Sequence, residues 1–174
     1  MAAPPGTVRV HQEGQTLHVR VEGRGTMAHG VPLRRVGEEA AGRGVSAIRV
    51  DLRHAIYLDS TFLGTLLALQ NQLARRRQGR LALIAPSAAC ARLLEQMGLD
   101  EVFTLEGGEE LSFPWQELPA ESPDVPAFKQ NVAQAHEQLA NLPGQAGETF
   151  RAVIRCIQQA EAEKSPPPRR NDGG

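Results

Sequence analysis

Cysteine is scarce in this chain of 174 residues: Cys90 and Cys156 stand apart, with no Cys-x-x-Cys spacing and no paired histidine beside either. That spacing argues against a disulfide scaffold and a thiolate metal site, and two lone thiols suit a reducing cytoplasm. Long apolar runs are also missing. The longest, FLGTLLAL, is roughly eight residues, far short of the ~20 that cross a bilayer, so no direct membrane insertion is expected. The opening MAAPPGTVRVHQ has neither the charged flank nor the apolar core of a secretory signal. A net charge of −1 and a pI near 6.5 supply no global field for nucleic acid or anionic lipid. His11, His18, His29, His54 and His136 are scattered, with no acid or serine at triad-like spacing and none at metal-ligand spacing. The Gly42–Gly44 GRG lacks the context of a phosphate cradle and reads as a helix stop. No repeat is visible. The chain is expected to be a cytoplasmic protein that is not an enzyme, with no cofactor, no metal and no nucleic-acid partner.

What is present is a regular alternation. The 41% hydrophobic content suffices for one core, and the length suggests one domain with an appendage. TVRVHQEG and QTLHVRVEG predict a hairpin around Glu13-Gly14, with Val8, Val10, Leu17, Val19 and Val21 on the period-2 face. HGVPLRRVGEEAAGRG follows at loosely helical spacing. SAIRVDLRHAIYLD then alternates as a strand through Ile48, Val50 and Leu52. STFLGTLLALQNQLARRRQ predicts a helix, since Phe62, Leu66, Leu69 and Leu73 recur at i, i+4, i+7, i+11. Its last turn carries Arg75 to Arg77, where cations offset the negative helix end, so the run reads as a solvated terminus. RLALIAP, SAACARLLEQMG and EVFTLE complete an order ββαβαβαβ, which calls for an α/β fold: a mixed sheet with helices mainly over one face.

At the junction YLDSTFLG, Asp59, Ser60 and Thr61 precede the apolar helix, and all three are favoured N-cap types. A cap is therefore one reading. The other is a switch, because a helix N-terminus tolerates an added phosphate: its free N–H groups and positive dipole end face the anion. Composition leaves both open.

The run from Asp51 to Phe103 resembles the STAS domain of anti-sigma factor antagonists. The likeness is carried by Asp59, Ser60, Thr61, Gly64, Pro86, Gly98, Leu99 and Phe103, and extends over about residues 7–106. It implies a bacterial signalling protein in transcription regulation that works by partner switching. By that resemblance Ser60 is the phosphorylated hydroxyl, with Thr61 as alternate, and the partner is an anti-sigma factor that is also a serine kinase. A serine phosphatase would reset the switch. Asp59, Ser60, Thr61, Phe62, Leu63, Gly64 and Arg24 are the implied docking residues. Two features depart from the family pattern: Phe62 replaces the usual glycine after the hydroxyls, and Gly23 to Met27 reads GRGTM, with Arg24 where an acidic turn is usual. The alternative role is a STAS accessory subunit of a membrane lipid transporter, in which Ser60 and Thr61 are structural.

The grammar changes past Gly107. The expected division is a STAS-like domain over 1–106, a Pro-rich linker over 107–127, a helical hairpin or kinked helix over 128–164 and a disordered tail over 165–174. Phe128, Val132, Ala135, Leu139 and Leu142 form one stripe, broken at Pro143-Gly144. Phe150, Val153, Ile154 and Ile157 form a second. Both must be covered, either by packing on themselves or the domain, or by self-association or a partner. Trp115, alone in the linker, is expected to pin it to the core.

Overall fold

The computed structural model describes residues 5–76 and 79–164. Arg77 and the expected tail over 165–174 lie outside the described residues. β1 (Thr7–Glu13) and β2 (Thr16–Gly25) form the hairpin, followed by α1 (Met27–Gly42), β3 (Ala47–Leu58), α2 (Ser60–Ala74), β4 (Arg80–Ile84), α3 (Ala88–Gln96) and β5 (Thr104–Glu106). This is the expected ββαβαβαβ order. Beyond it come β6 (Gln116–Glu117), α4 (Pro126–Ala140) and α5 (Gly144–Lys164).

The strands form one mixed sheet in the order β5-β4-β3-β2-β1-β6. β2, β3, β4 and β5 pair in parallel, and each parallel step is served by one helical crossover. Crossovers of one hand place α1, α2 and α3 on a single face. Strand alternation supplies the matching apolar surface: Val8, Val19, Val50 and Leu83 are wholly buried, and Leu17 and Ile48 nearly so. α2 is buried almost all round, from Thr61 to Leu67 without interruption. A helix of that kind needs cover on two sides. The sheet provides one, and α4 provides the other by packing across α2 and α1.

The opposite face of the sheet is polar, lined by Arg9, His11, His18, Arg20, Arg49 and Asp51, which are cross-strand neighbours in the register. It is also covered. Residues 108–118, expected as part of a linker, lie across it as a strap. Phe113 stacks on His11 and leans on His18, each at 4.6 Å between ring centroids, and Trp115 sits 4.6 Å beneath the Arg20 guanidinium. Arg20 also donates to the Leu111 carbonyl at 2.6 Å, and β6 adds a short antiparallel edge to β1. Proline keeps this segment out of a longer ladder without keeping it off the sheet. The chain then passes the β1 edge, where the Leu118 N–H donates to the Val8 carbonyl, and reaches the helical side, where the Glu121 N–H donates to Ala28.

α4 and α5 form a hairpin over that side. Phe128, Ala135, Leu139, Ala146 and Phe150 are buried, and full burial of each large side chain stabilises by about 1.5–3 kcal/mol. Of the second stripe, Val153 and Ile157 remain 46% and 41% exposed, so α5 is covered only in its first half.

Candidate functional site at the start of α2

β3 runs past the end of β4, pairs only with β2 from His54 onward, and delivers the chain to α2 at Asp59. Asp59 has extended backbone angles (φ −81°, ψ 168°) and is the N-cap. Its Oδ1 accepts from the Phe62 N–H at 2.8 Å, and its Oδ2 accepts from the Met27 N–H at 2.7 Å. One carboxylate therefore caps α2 and also the first turn of α1, whose own N-cap Thr26 contributes no side-chain bond. A charge-assisted acceptor suits both positive helix ends.

Since Asp59 performs the capping, the Ser60 hydroxyl is free of that duty. Ser60 is half-buried, and its Oγ lies 3.1 Å from His136 Nε2 of α4. Burial holds His136 below the ordinary imidazole range, with the Asp59 charge opposing. Met27 and Tyr57, flanking Asp59 on α1 and β3, are 43% and 37% exposed, and the Arg24 guanidinium stacks 4.4 Å from the Tyr57 ring centre. Two turns of α4 continue the contact. Asn131 Nδ2 donates to Thr65 Oγ1 at 3.3 Å, Asn71 Nδ2 donates to Gln138 Oε1 at 2.8 Å, and Arg34 donates to Gln134.

A family model described as "Mlab, STAS domain" matches residues 8–106. The chain belongs to this STAS family. Solved structures of the same fold include the anti-sigma factor antagonist SpoIIAA in its unphosphorylated form, at 20% identity over 59% of this chain and 89% of that one, with a TM-score of 0.50. The Bacillus cell fate determinant SpoIIAA in its phosphorylated form matches at 19% identity over 59% of this chain and 92% of that one, TM-score 0.50. An anti-sigma factor antagonist from Mycobacterium paratuberculosis matches at 24% over 61% and 90%, TM-score 0.51. At these identities the likeness is one of fold. No curated protein matches the chain.

Within the STAS domain, the structure separates the seven expected docking residues. Asp59, Ser60 and Arg24 are half-buried at the β2–β3 end of the sheet. Thr61, expected as the alternate acceptor, is 1% exposed, and its carbonyl takes the Thr65 hydroxyl at 2.8 Å. That burial sets Thr61 apart from the half-buried Ser60 hydroxyl as a phosphate acceptor. Phe62 and Leu63, expected at a partner surface, are 0% exposed. Their side chains point inward because α2 turns both onto the sheet, and the Phe62 ring lies close over Gly25, where a Cβ would come within 3.1 Å of it. Phe62 is therefore a core residue. Gly64 faces the α4 backbone and not solvent.

His136, Asn131, Gln134 and Gln138 were not singled out as site residues from the sequence. The available signal is a polar row at 131, 134 and 138 running beside the apolar row of Phe128, Ala135 and Leu139. Among the described residues no helix is long and apolar enough to cross a membrane, and no group of three His, Cys, Asp or Glu side chains is placed to hold a metal ion.

Three histidines give the STAS domain and its cover a pH dependence. His18 beneath Phe113, His29 in α1 and His136 are each held below the ordinary imidazole value of 6.5, chiefly by burial. Nearby carboxylates oppose this: Glu13 at His18, Asp59 and Glu117 at His29, Asp59 at His136. The unfolded chain thus binds protons that the folded chain resists. The stabilisation is fully present above about pH 6.5 and is lost as pH falls through the depressed values. Urea midpoints are expected to be flat above neutrality and to fall from about pH 6.5 downward, with His18→Gln removing part of the slope. An unchanged midpoint between pH 7.5 and pH 5 is the opposite result.

Proposed function

We propose that the chain is a partner-switching regulator of the anti-sigma factor antagonist type, which docks an anti-sigma factor/serine kinase through the β3–α2 junction when Ser60 is unmodified and is released when Ser60 is phosphorylated. The observation that carries this reading is the division of labour at the junction. Asp59 holds both helix ends while the adjacent Ser60 hydroxyl lies half-buried at the rim with no capping role. A hydroxyl so placed gains an anion without loss of the scaffold behind it. The fold shared with anti-sigma factor antagonists adds support. Arg24, stacked on Tyr57 close to Ser60 at the β2–β3 end of the sheet, gives the rim a cationic and aromatic character, which fits a partner with an acidic, apolar docking segment.

The contact between Ser60 and His136 favours a second reading, in which the hydroxyl is structural and the domain is a permanently docked accessory subunit of a lipid transporter. Phosphopeptide mapping of the protein isolated from its own cells separates the two. Phosphate on Ser60 is the expected result, and a Ser60 peptide found only unmodified, with and without phosphatase inhibitors, overturns the switch.

A further inference from the structure

The face of α1 and α2 beneath α4 is shaped to receive a helix. Its floor is glycine: a Cβ on Gly64 would lie 2.3 Å from the Ala135 carbonyl oxygen, and one on Gly30 would lie 2.6 Å from Asn131 Nδ2. Only residues without side chains let the helices approach so closely. The walls are mixed: beside the buried Ala135 and Leu139 of α4 runs a row of polar pairs. Ser60, Thr65, Asn71 and Arg34 each meet a side chain of α4, namely His136, Asn131, Gln138 and Gln134. Such a seam differs from the aliphatic packing of the sheet, because separated polar partners recover hydrogen bonds to water, and each bond contributes only about 0.5–1.5 kcal/mol net. Contact surfaces that mix polar pairs with apolar burial are typical of units that dock and undock.

We propose that α4 is a ligand held in cis: it fills a helix-binding groove on the STAS domain, shuts Ser60 behind His136, and must lift before a partner helix or a kinase engages the site. This rests on the reading of Ser60 as the switch and names its regulation. The tether is residues 119–125, held to the domain among the described residues by the backbone bond from the Glu121 N–H to Ala28 and by an Arg35–Glu121 ion pair at 3.6 Å. A helix on a tether of that length competes at an effective concentration of the order of millimolar. The affinity of a partner in trans is therefore lowered by the fraction of time the groove stands open. The incoming partner is expected to present a helix with a small residue at the glycine floor, because α4 places Ala135 there.

The test uses the full chain carrying Ser60→Cys and Cys156→Ser, which leaves a thiol at the switch position and the buried Cys90. The probe is 5,5′-dithiobis(2-nitrobenzoate), whose reaction rate reports access to position 60. Adding Gly64→Ala, which the α4 backbone cannot accommodate, is expected to accelerate labelling about tenfold or more while β3 and β4 amides keep their exchange protection. Equal rates with and without Gly64→Ala overturn the proposal, as does labelling of the Gly64 chain at the rate of the exposed Cys156 thiol in the natural chain. Should Gly64→Ala unfold the sheet, amide exchange of the unmodified chain decides. Protection in α4 at least about tenfold below that of β3 supports a lifting helix, and equal protection overturns it. Neither readout needs a kinase, so failure here leaves the Ser60 switch standing, while absence of phosphate in cells leaves the cover standing.

Discussion

The full chain carrying Ser60→Glu is expected to bind the anti-sigma factor/serine kinase proposed as its partner at least about a hundredfold more weakly than the chain with Ser60 or Ser60→Ala, with little change in stability. The reason is where the charge falls. At the start of α2 an anion gains about 0.3–1 kcal/mol from the helix dipole, and the neighbouring Asp59 charge opposes it by a similar amount in water. Folding of the sheet behind it is therefore nearly indifferent, and the added charge acts mainly on the α4 cover. In a docked complex the same anion, left unpaired, is taken out of water, which costs at least several kcal/mol. A loss of about 3 kcal/mol already exceeds a hundredfold. Ser60→Ala loses only the contact with His136, so its binding should equal or slightly exceed that of the natural chain, because the cover over the groove is loosened. Calorimetric titration with the proposed kinase partner, recovered by the chain with Ser60 unmodified, measures both. Equal affinities for the alanine and glutamate variants would remove Ser60 from the mechanism.

Asp59→Ala should have the largest effect on folding of any change at the site. Two backbone N–H groups, from Phe62 and Met27, lose a charged acceptor together, and two helix starts lose their counter-charge. Each cap is worth about 0.5–2 kcal/mol, so the pair should cost about 2–3 kcal/mol, read as a fall in the urea midpoint at unchanged slope. Asp59→Asn retains a neutral acceptor on one side and should recover about half of that. A loss below about 0.5 kcal/mol for Asp59→Ala would mean that water replaces both bonds, and that the carboxylate does not tie α1 to α2.

These two variants separate roles that the sequence leaves merged. Asp59, Ser60 and Thr61 are interchangeable as N-cap types, and which of them caps depends on backbone angles fixed by the end of β3. Once Asp59 takes the extended cap conformation, Ser60 is carried to the rim and Thr61 is turned inward. Phe62 shows the same limit. As a residue it reads equally well as an obstruction or as an anchor for a partner, and its actual place in the core follows from Gly25, distant in sequence, leaving room for the ring.

The sequence by itself determined the ββαβαβαβ order, the apolar faces and the identity of the junction, because periodicity and turn residues are local consequences of which side chains must leave water. Val8 through Leu83 on the strands, and Phe62 through Leu73 on α2, are buried as their spacing requires. Only the tertiary structure decided the contacts between residues far apart in the chain. Asp59 reaches Met27, His136 reaches Ser60, and the Pro-rich strap lays Phe113 and Trp115 on the polar face of the sheet. Those pairings cross 32 to 76 residues or more, depend on directional hydrogen bonds and ring stacking, and leave no periodic trace. A stripe of apolar residues states that it must be covered. The partner that covers it is chosen by shape, and here two glycines on the STAS domain admit the backbone of α4.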